Sequence, residues 1–305
     1  MSLAWTAASA RARLLSRRRL GPAASRSLAG QADLGAARRL LVDSPYGREV
    51  GRETTIDQLQ RALQASVLWH LRILAGWAPP SGGPLLRTLA ARFEIANVED
   101  RLSYLGGAPL HQPYELGRLA TAWDRLRHAG SAGEMRAKLA RSRWGDPGSE
   151  DLVGIRWAML LRWAGWLRGG PRPMRPWVEG AVALLTARLI VAGADAVPEP
   201  VRLRWELLVP GAGRALSLED VAALVPDGAW ALQLVTSPQD LWWAESQWWE
   251  RMERDAQRVL KGNPRNPDAA VGLAGLLVAD ARRVGATLEA VGRGPAARSL
   301  YDAIG

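Results

Sequence analysis

Cysteine is absent from all 305 residues, and phenylalanine occurs once, at Phe93. The first absence removes disulfide scaffolds, thiol nucleophiles and cysteine-ligated zinc or iron–sulfur sites together. Only two lysines are present, Lys138 and Lys261. Neither follows a glycine-rich loop and no Gly-Lys-Ser/Thr occurs, so a P-loop is excluded and a catalytic amine has little room. The three histidines, His70, His111 and His128, do not pair at ligand spacing. No G-x-S-x-G elbow is present. Gly292-Arg293-Gly294-Pro295-Ala296-Ala297 spells a dinucleotide-like G-x-G-x-x-A, but it follows a helical pattern where a strand is needed and carries a proline. Long apolar runs are missing as well: the longest uncharged stretch, Ile73 to Leu86, is broken by three prolines and three glycines. A spanning helix needs about 18–20 apolar residues, so none is expected. No catalytic residue, cofactor site or metal ligand emerges.

What is present is helical periodicity. Between Thr55 and Trp77, Leu59, Leu63, Val67, Leu71 and Leu74 recur every three or four residues, one apolar stripe on a helix. Pro79-Pro80-Ser81-Gly82-Gly83-Pro84 breaks the chain, and a second helix runs from Leu85 to about Leu105, ended by Gly106-Gly107. Further helices are expected at about 3–19, 114–128, 131–141, 150–168, 175–193, 217–224, 238–260 and 267–291. Runs of alternating β-branched and polar residues are nearly absent. The expected class is all-α.

Charge is plentiful but uneven. The net +10 divides into +9 over residues 1–150 and +1 over 151–305, and 38 of the 40 basic residues are arginine. Arginine-for-lysine bias alongside abundant Ala and Gly is what a GC-rich coding sequence produces, so basicity alone says little about partners. Six arginines, Arg11, Arg13, Arg17, Arg18, Arg19 and Arg26, precede the first acid, Asp33. This Ser/Ala-rich start has the composition of an organellar transit peptide, against a default cytosolic expectation. The carboxylates Glu94, Glu99 and Asp100, and Glu245, Glu250 and Glu253, fall on helices, the latter group beside Arg251 and Arg254, as in solvated ion-pair faces. Tryptophan, 15 in all, substitutes for phenylalanine as core filler: Trp157, Trp163 and Trp166 share one helix, and Trp242, Trp249, Met252, Ala256 and Val259 form a stripe on another. His70, among Trp69, Leu71 and Leu74, reads as a structural histidine.

One helix face recurs. Glu94 is followed by Val98, Leu102, Leu105 and Gly106; Asp280 is followed by Val284, Leu288, Val291 and Gly292. The offsets are identical, and a fainter version without the acid lies in Ala183–Gly193. Copies of a unit near 100 residues suggest a quasi-symmetric helical protein.

Several segments, in order, resemble a known family. Trp5-Thr6-Ala7-Ala8-Ser9-Ala10-Arg11-Ala12-Arg13-Leu14-Leu15-Ser16 is similar to its first helix. Leu34–Gly47, ending Asp43-Ser44-Pro45-Tyr46-Gly47, is similar to its short helix closing in a tyrosine-glycine step. Phe93-Glu94-Ile95-Ala96-Asn97-Val98 resembles its acid–aliphatic–x–Asn–Leu element, and Leu208-Val209-Pro210-Gly211 its Pro-Gly-Gly turn, with Ala212 for the second glycine. Ala279-Asp280-Ala281-Arg282-Arg283-Val284 is similar to its C-terminal element, lacking the Asn and one acid. The family is the C-type rotor subunit of V-type (A/V-type) ATPases, the equivalent of the V-ATPase d subunit.

The resemblance implies three similar helical domains, at about 1–109, 110–215 and 216–305, in a pseudo-threefold funnel. It implies a non-catalytic rotor part that seats on the membrane rotor ring, receives the central-stalk subunits (D-type and F-type) and couples ATP turnover to ion transport. On this reading the chain has no cofactor, no nucleic-acid partner and no transmembrane segment of its own. It lies on the cytoplasmic face of the membrane, held through the ring. Arg11, Arg13, Arg17, Arg18 and Arg19 are the candidate partner-binding residues, meeting acidic groups of stalk or ring. The alternative is an Arg-rich helical nucleic-acid-binding protein, whose binding would weaken steeply with salt. An all-α enzyme without a sequence motif is the third reading.

Overall fold

The computed structural model describes residues 3–51, 55–192, 198–215 and 217–294, and every regular element among them is helical. The all-α expectation holds. In chain order the helices are α1 (Thr6–Leu15), α2 (Gly21–Ala29), α3 (Leu34–Val42), α4 (Gly47–Val50), α5 (Ile56–Trp77), α6 (Gly83–Leu105) and α7 (Trp123–Leu126). There follow α8 (Ala132–Ala140), α9 (Leu152–Arg168), α10 (Arg175–Ala192), α11 (Glu199–Leu208), α12 (Leu218–Leu224), α13 (Leu241–Leu260) and α14 (Asp268–Arg293). Contacts divide the chain into two compact units: one combines Met1–Pro80 with Glu253–Gly305, the other is Ser81–Met252.

In the first unit, α14 is the centre, packed against α1, α2, α3 and α5. It is rich in Ala and Gly and buried on most of its circumference, which suits a helix enclosed by others. Helix α5 begins at a reciprocal capping box between Thr55 and Gln58. The stripe expected on it is the buried one: Leu59, Leu63, Val67, Leu71 and Leu74. Arg13 ties α1 to the end of α13, its Nε donating to the Leu260 carbonyl (3.1 Å) and its Nη2 to that of Gly262 (2.7 Å). These are carbonyls that a helix C-terminus leaves unpaired.

The second unit is centred on α6, which packs against α9 and α7, while α9 also meets α10 and α11. A further layer forms where α10 meets α12 and the 3-10 segment Pro226–Leu232. Trp144 and Trp205 are its largest fully buried side chains.

Several boundaries differ from expectation, each for a physical reason. The first helix stops at Leu15, and α2 starts afresh at Gly21, which has φ of 79°. Between Tyr114 and Leu126, where the pattern predicts one helix, only the 3-10 turn Gly117–Leu119 and short α7 form. There the backbone is held by side chains of α6: Asn97 donates to the Tyr114 carbonyl (2.9 Å) and accepts from the Tyr114 N–H (2.7 Å). Gly292 does not stop the last helix, which runs to Arg293 before Gly294 at φ of 87°. Helix α11, entered through Pro198, has no counterpart among the expected helices.

Candidate functional site

Glu94 and Asp280, the two acids of the repeated helix face, are fully buried. Glu94 therefore does not belong to a solvated ion-pair face. It accepts from the backbone N–H groups of Thr121 (2.6 Å) and Ala122 (2.8 Å) and from Trp144 Nε1 (2.7 Å). Asp280 accepts from the N–H groups of Leu20 and Gly21 (both 2.8 Å) and from the Tyr46 hydroxyl (2.8 Å). Both pairs of N–H groups lie at a helix entrance, of α7 and α2 respectively, where no local side chain caps the first turn. Each central-helix carboxylate thus supplies a cap from across the fold, where exposed amides and the helix dipole favour negative charge.

The aromatic donors are presented alike. Before Tyr46, the Ser44 hydroxyl donates to the Leu41 carbonyl and accepts from the Tyr46 N–H; before Trp144, Ser142 does the same with Leu139 and Trp144. Upstream, Asp33 caps α3 and Ser131 caps α8, each accepting from the N–H three residues on. One frame, cap–Leu–Ser–aromatic at identical spacing, therefore occurs at 33/41/44/46 and at 131/139/142/144. It recurs in weaker form at Ser217, Val225, Gly228 and Trp230, where Ser217 caps α12. Here the carboxylate is missing. Trp230 instead faces Gly180 of α10, where an added Cβ would lie 2.5 Å from Trp230 Cζ2 and 2.8 Å from Trp248 Cδ1. Trp230 Nε1 is buried without a hydrogen-bond partner among the described residues. Next to Gly180, Glu179 is engaged in a bidentate pair with Arg168, beside a cleft of about 220 Å³ that also reaches Leu208 and Asp227. The fainter helix-face copy expected in Ala183–Gly193 falls on the latter half of α10, the helix whose Gly180 meets Trp230, and its Gly193 lies outside the described residues.

Electrostatics separate the two buried carboxylates. Burial raises the Glu94 carboxyl above its usual range, although Trp144 and the backbone donors pull it back. At Asp280, Arg283 approaches to 3.5 Å, and Arg283 also pairs with Glu253, which Arg19 meets at 3.7 Å. Burial first, then the Asp280 charge, holds the Tyr46 phenol well above its ordinary value. Glu253 is accordingly a buried member of a network and no part of a solvated face.

The five candidate arginines divide. Arg13 caps α13, and Arg19 is spent on the Ser16 carbonyl (2.7 Å) and Glu253. Arg11 lies over Trp77, 5.7 Å from its ring centre. Arg17 and Arg18 are exposed. His70 is buried, its Nδ1 2.7 Å from the Ser66 carbonyl. Burial lowers its pKa, the Ser66 carbonyl pulls it back up, and Arg18, Arg11 and Arg48 lower it again, leaving it below its ordinary value. The stripe expected on α13 is rotated: Leu241, Ala244, Met252, Ala256 and Leu260 are buried, while Trp242 is half exposed. The helix-face echo finds the two acids but not their aromatic donors, whose signal is the repeated spacing that leads to Tyr46 and Trp144.

Chemically, both carboxylates are saturated with donors, an arrangement that fixes a fold. Among the described residues no group of three or more His, Asp or Glu is placed to hold a metal ion. None of the described helices is long and apolar enough to cross a membrane. In comparison with known proteins, no family model matches the chain and no curated protein matches it.

Proposed function

We propose that this chain is a non-catalytic coupling part of a V-type rotary ATPase, joining central-stalk subunits to the membrane rotor ring. The observation that carries the reading is the repeated cap–Leu–Ser–aromatic frame with its buried central-helix carboxylate, in the all-helical setting that the family resemblance implies. In the first unit that carboxylate comes from the far end of the sequence, as a closed set of modules requires: the last helix completes the first module. Densely packed helices cross-tied by buried polar clamps give the stiffness that torque transmission needs. On this reading the three modules form a funnel on the cytoplasmic face, and Arg17 and Arg18, which are exposed, meet acidic groups of stalk or ring.

Extraction of the native protein from its own membranes in mild detergent tests this. Co-purification with ATPase head, stalk and ring subunits is the expected result. Recovery free of those subunits and bound to nucleic acid would overturn it in favour of the Arg-rich nucleic-acid reading. Charge reversal at Arg17 and Arg18 (to Glu) is expected to weaken stalk or ring association in the reconstituted complex without unfolding the chain, since both side chains are in solvent. Unchanged association would remove these residues from the interface.

A further inference from the structure

Two arginines of the second unit converge on one spot, and neither is in direct contact with an acid among the described residues. Arg162 on α9 donates through Nε to the Trp144 carbonyl (3.2 Å), and Arg204 on α11 points Nη1 at the Ala158 carbonyl (3.4 Å). Their remaining Nη2 groups turn toward the same spot. A Cβ built on Gly145 would sit 2.9 Å from Arg162 Nη2 and 3.7 Å from Arg204 Nη2. Gly145 has φ of 70°, which disfavours a side chain there, and the missing Cβ lets both guanidinium groups come close to its backbone.

Neither arginine has an ion pair among the described residues. A neighbouring acid, Asp146, is already held by a bidentate contact from Arg136 (2.9 and 3.2 Å). Arg143, two residues before Gly145, lies over Trp166 at 4.1 Å from its ring centre. Burial and then the Arg162 charge lower the pKa of Arg204, and the Asp146 charge offsets part of this. Arg162 is exposed and Arg204 half-buried, so the spot is open to solvent.

We propose that Arg162 and Arg204 bind a phosphate-type oxyanion. Two guanidinium groups with free Nη2 donors, approaching one point from neighbouring helices, match an anion with several oxygens and more than one negative charge. The occupant is inorganic phosphate itself or the terminal phosphate of a monoester, and both offer the same oxygens. This site stands independently of the rotor reading.

The test is a titration of the full chain with inorganic phosphate at ionic strength held constant with chloride, read by melting temperature and by the fluorescence of the adjoining tryptophans. Phosphate is expected to raise the melting temperature of the unaltered protein. Arg162→Gln and Arg204→Gln should each weaken binding at least tenfold, as loss of a charge-assisted donor implies. Arg125→Gln, at an exposed arginine outside this cluster, should bind as the parent does. Each variant's phosphate shift is read against its own melting temperature in chloride, because either substitution also removes the hydrogen bond that its arginine gives to the Trp144 or Ala158 carbonyl. Phenyl phosphate binding as tightly as phosphate would support the site and assign it to a phosphomonoester; tenfold weaker binding would support it and assign it to the free ion. Identical melting in phosphate and chloride, or equal phosphate binding by parent and both site variants, would overturn the proposal.

Discussion

The two buried carboxylates solve one problem with different parts. In the unit built on α14, a short acid, Asp280, meets Tyr46, whose hydroxyl sits at the far end of its ring; in the unit built on α6, a longer acid, Glu94, meets Trp144, whose donor sits nearer its backbone. Reach lost on one side is restored on the other, and the two backbone N–H bonds are kept. The surroundings diverge more than the contacts. Asp280 belongs to a network with Arg283, Glu253 and Arg19, while Glu94 is held by neutral donors alone among its hydrogen bonds. What is common to both is the capping of a distant helix entrance; the ionic surroundings vary.

Removing the acids should have the largest effect. Asp280→Ala and Glu94→Ala each strand two backbone donors and one side-chain donor, and should lower unfolding free energy by about 3–5 kcal/mol in urea denaturation. Asp280→Ala should lie at the upper end, since it also takes a partner from Arg283. Equal small losses, under about 1 kcal/mol, would mean the clamps are incidental. The third frame should respond in the opposite sense to size: Gly180→Ala places a carbon against Trp230 and Trp248 and should cost about 1–3 kcal/mol, where the other frames need a larger residue.

Trimming the donors should give smaller, unequal losses. Tyr46→Phe removes only a hydroxyl, and about 2 kcal/mol is expected for a bond to a charged acceptor. Trp144→Phe loses its N–H and also leaves a void, so it should exceed Tyr46→Phe in the same denaturant series. A reversed order would show that the ionic network, and no shared clamp geometry, sets the strength.

The smallest effect is in pH, and it has opposite signs in the two units. Glu94 holds its proton more tightly folded than unfolded, so its contribution is fully present below the ordinary carboxylate value and is lost as pH rises through its raised one. His70 has a depressed pKa, so its contribution is present above its ordinary 6.5 and is lost as pH falls. Between about pH 7 and 5, His70→Leu should flatten the acid-side decline in melting temperature, and Glu94→Gln should steepen it. Parallel profiles for parent and both variants would contradict these assignments.

Much of this is legible in the residues. Helical class follows from stripes such as Leu59 to Leu74, and the echo between Glu94 and Asp280 marks the two acids that organise the units. Their burial is not legible, because an acid beside aliphatic residues on a helix looks the same whether it faces water or a distant amide. Nor is the irregular run before α7, where a helical pattern yields to Asn97 and Glu94 bonding the backbone from another helix. The arginines show the same limit from the other side: Arg13 and Arg17 are alike in sequence, yet one caps α13 and the other stands in solvent.

The bond between Tyr46 and Asp280 also sets an order in time. It spans 234 residues, so at about 5–20 residues per second the ribosome needs about 10–50 s to deliver the acid after the tyrosine. During that interval the amides at Leu20 and Gly21 have no cap, while Glu94, Ala122 and Trp144 have already been made. The middle of the chain can therefore assemble first, and the N-terminal helices wait, exposed, for the helix made last.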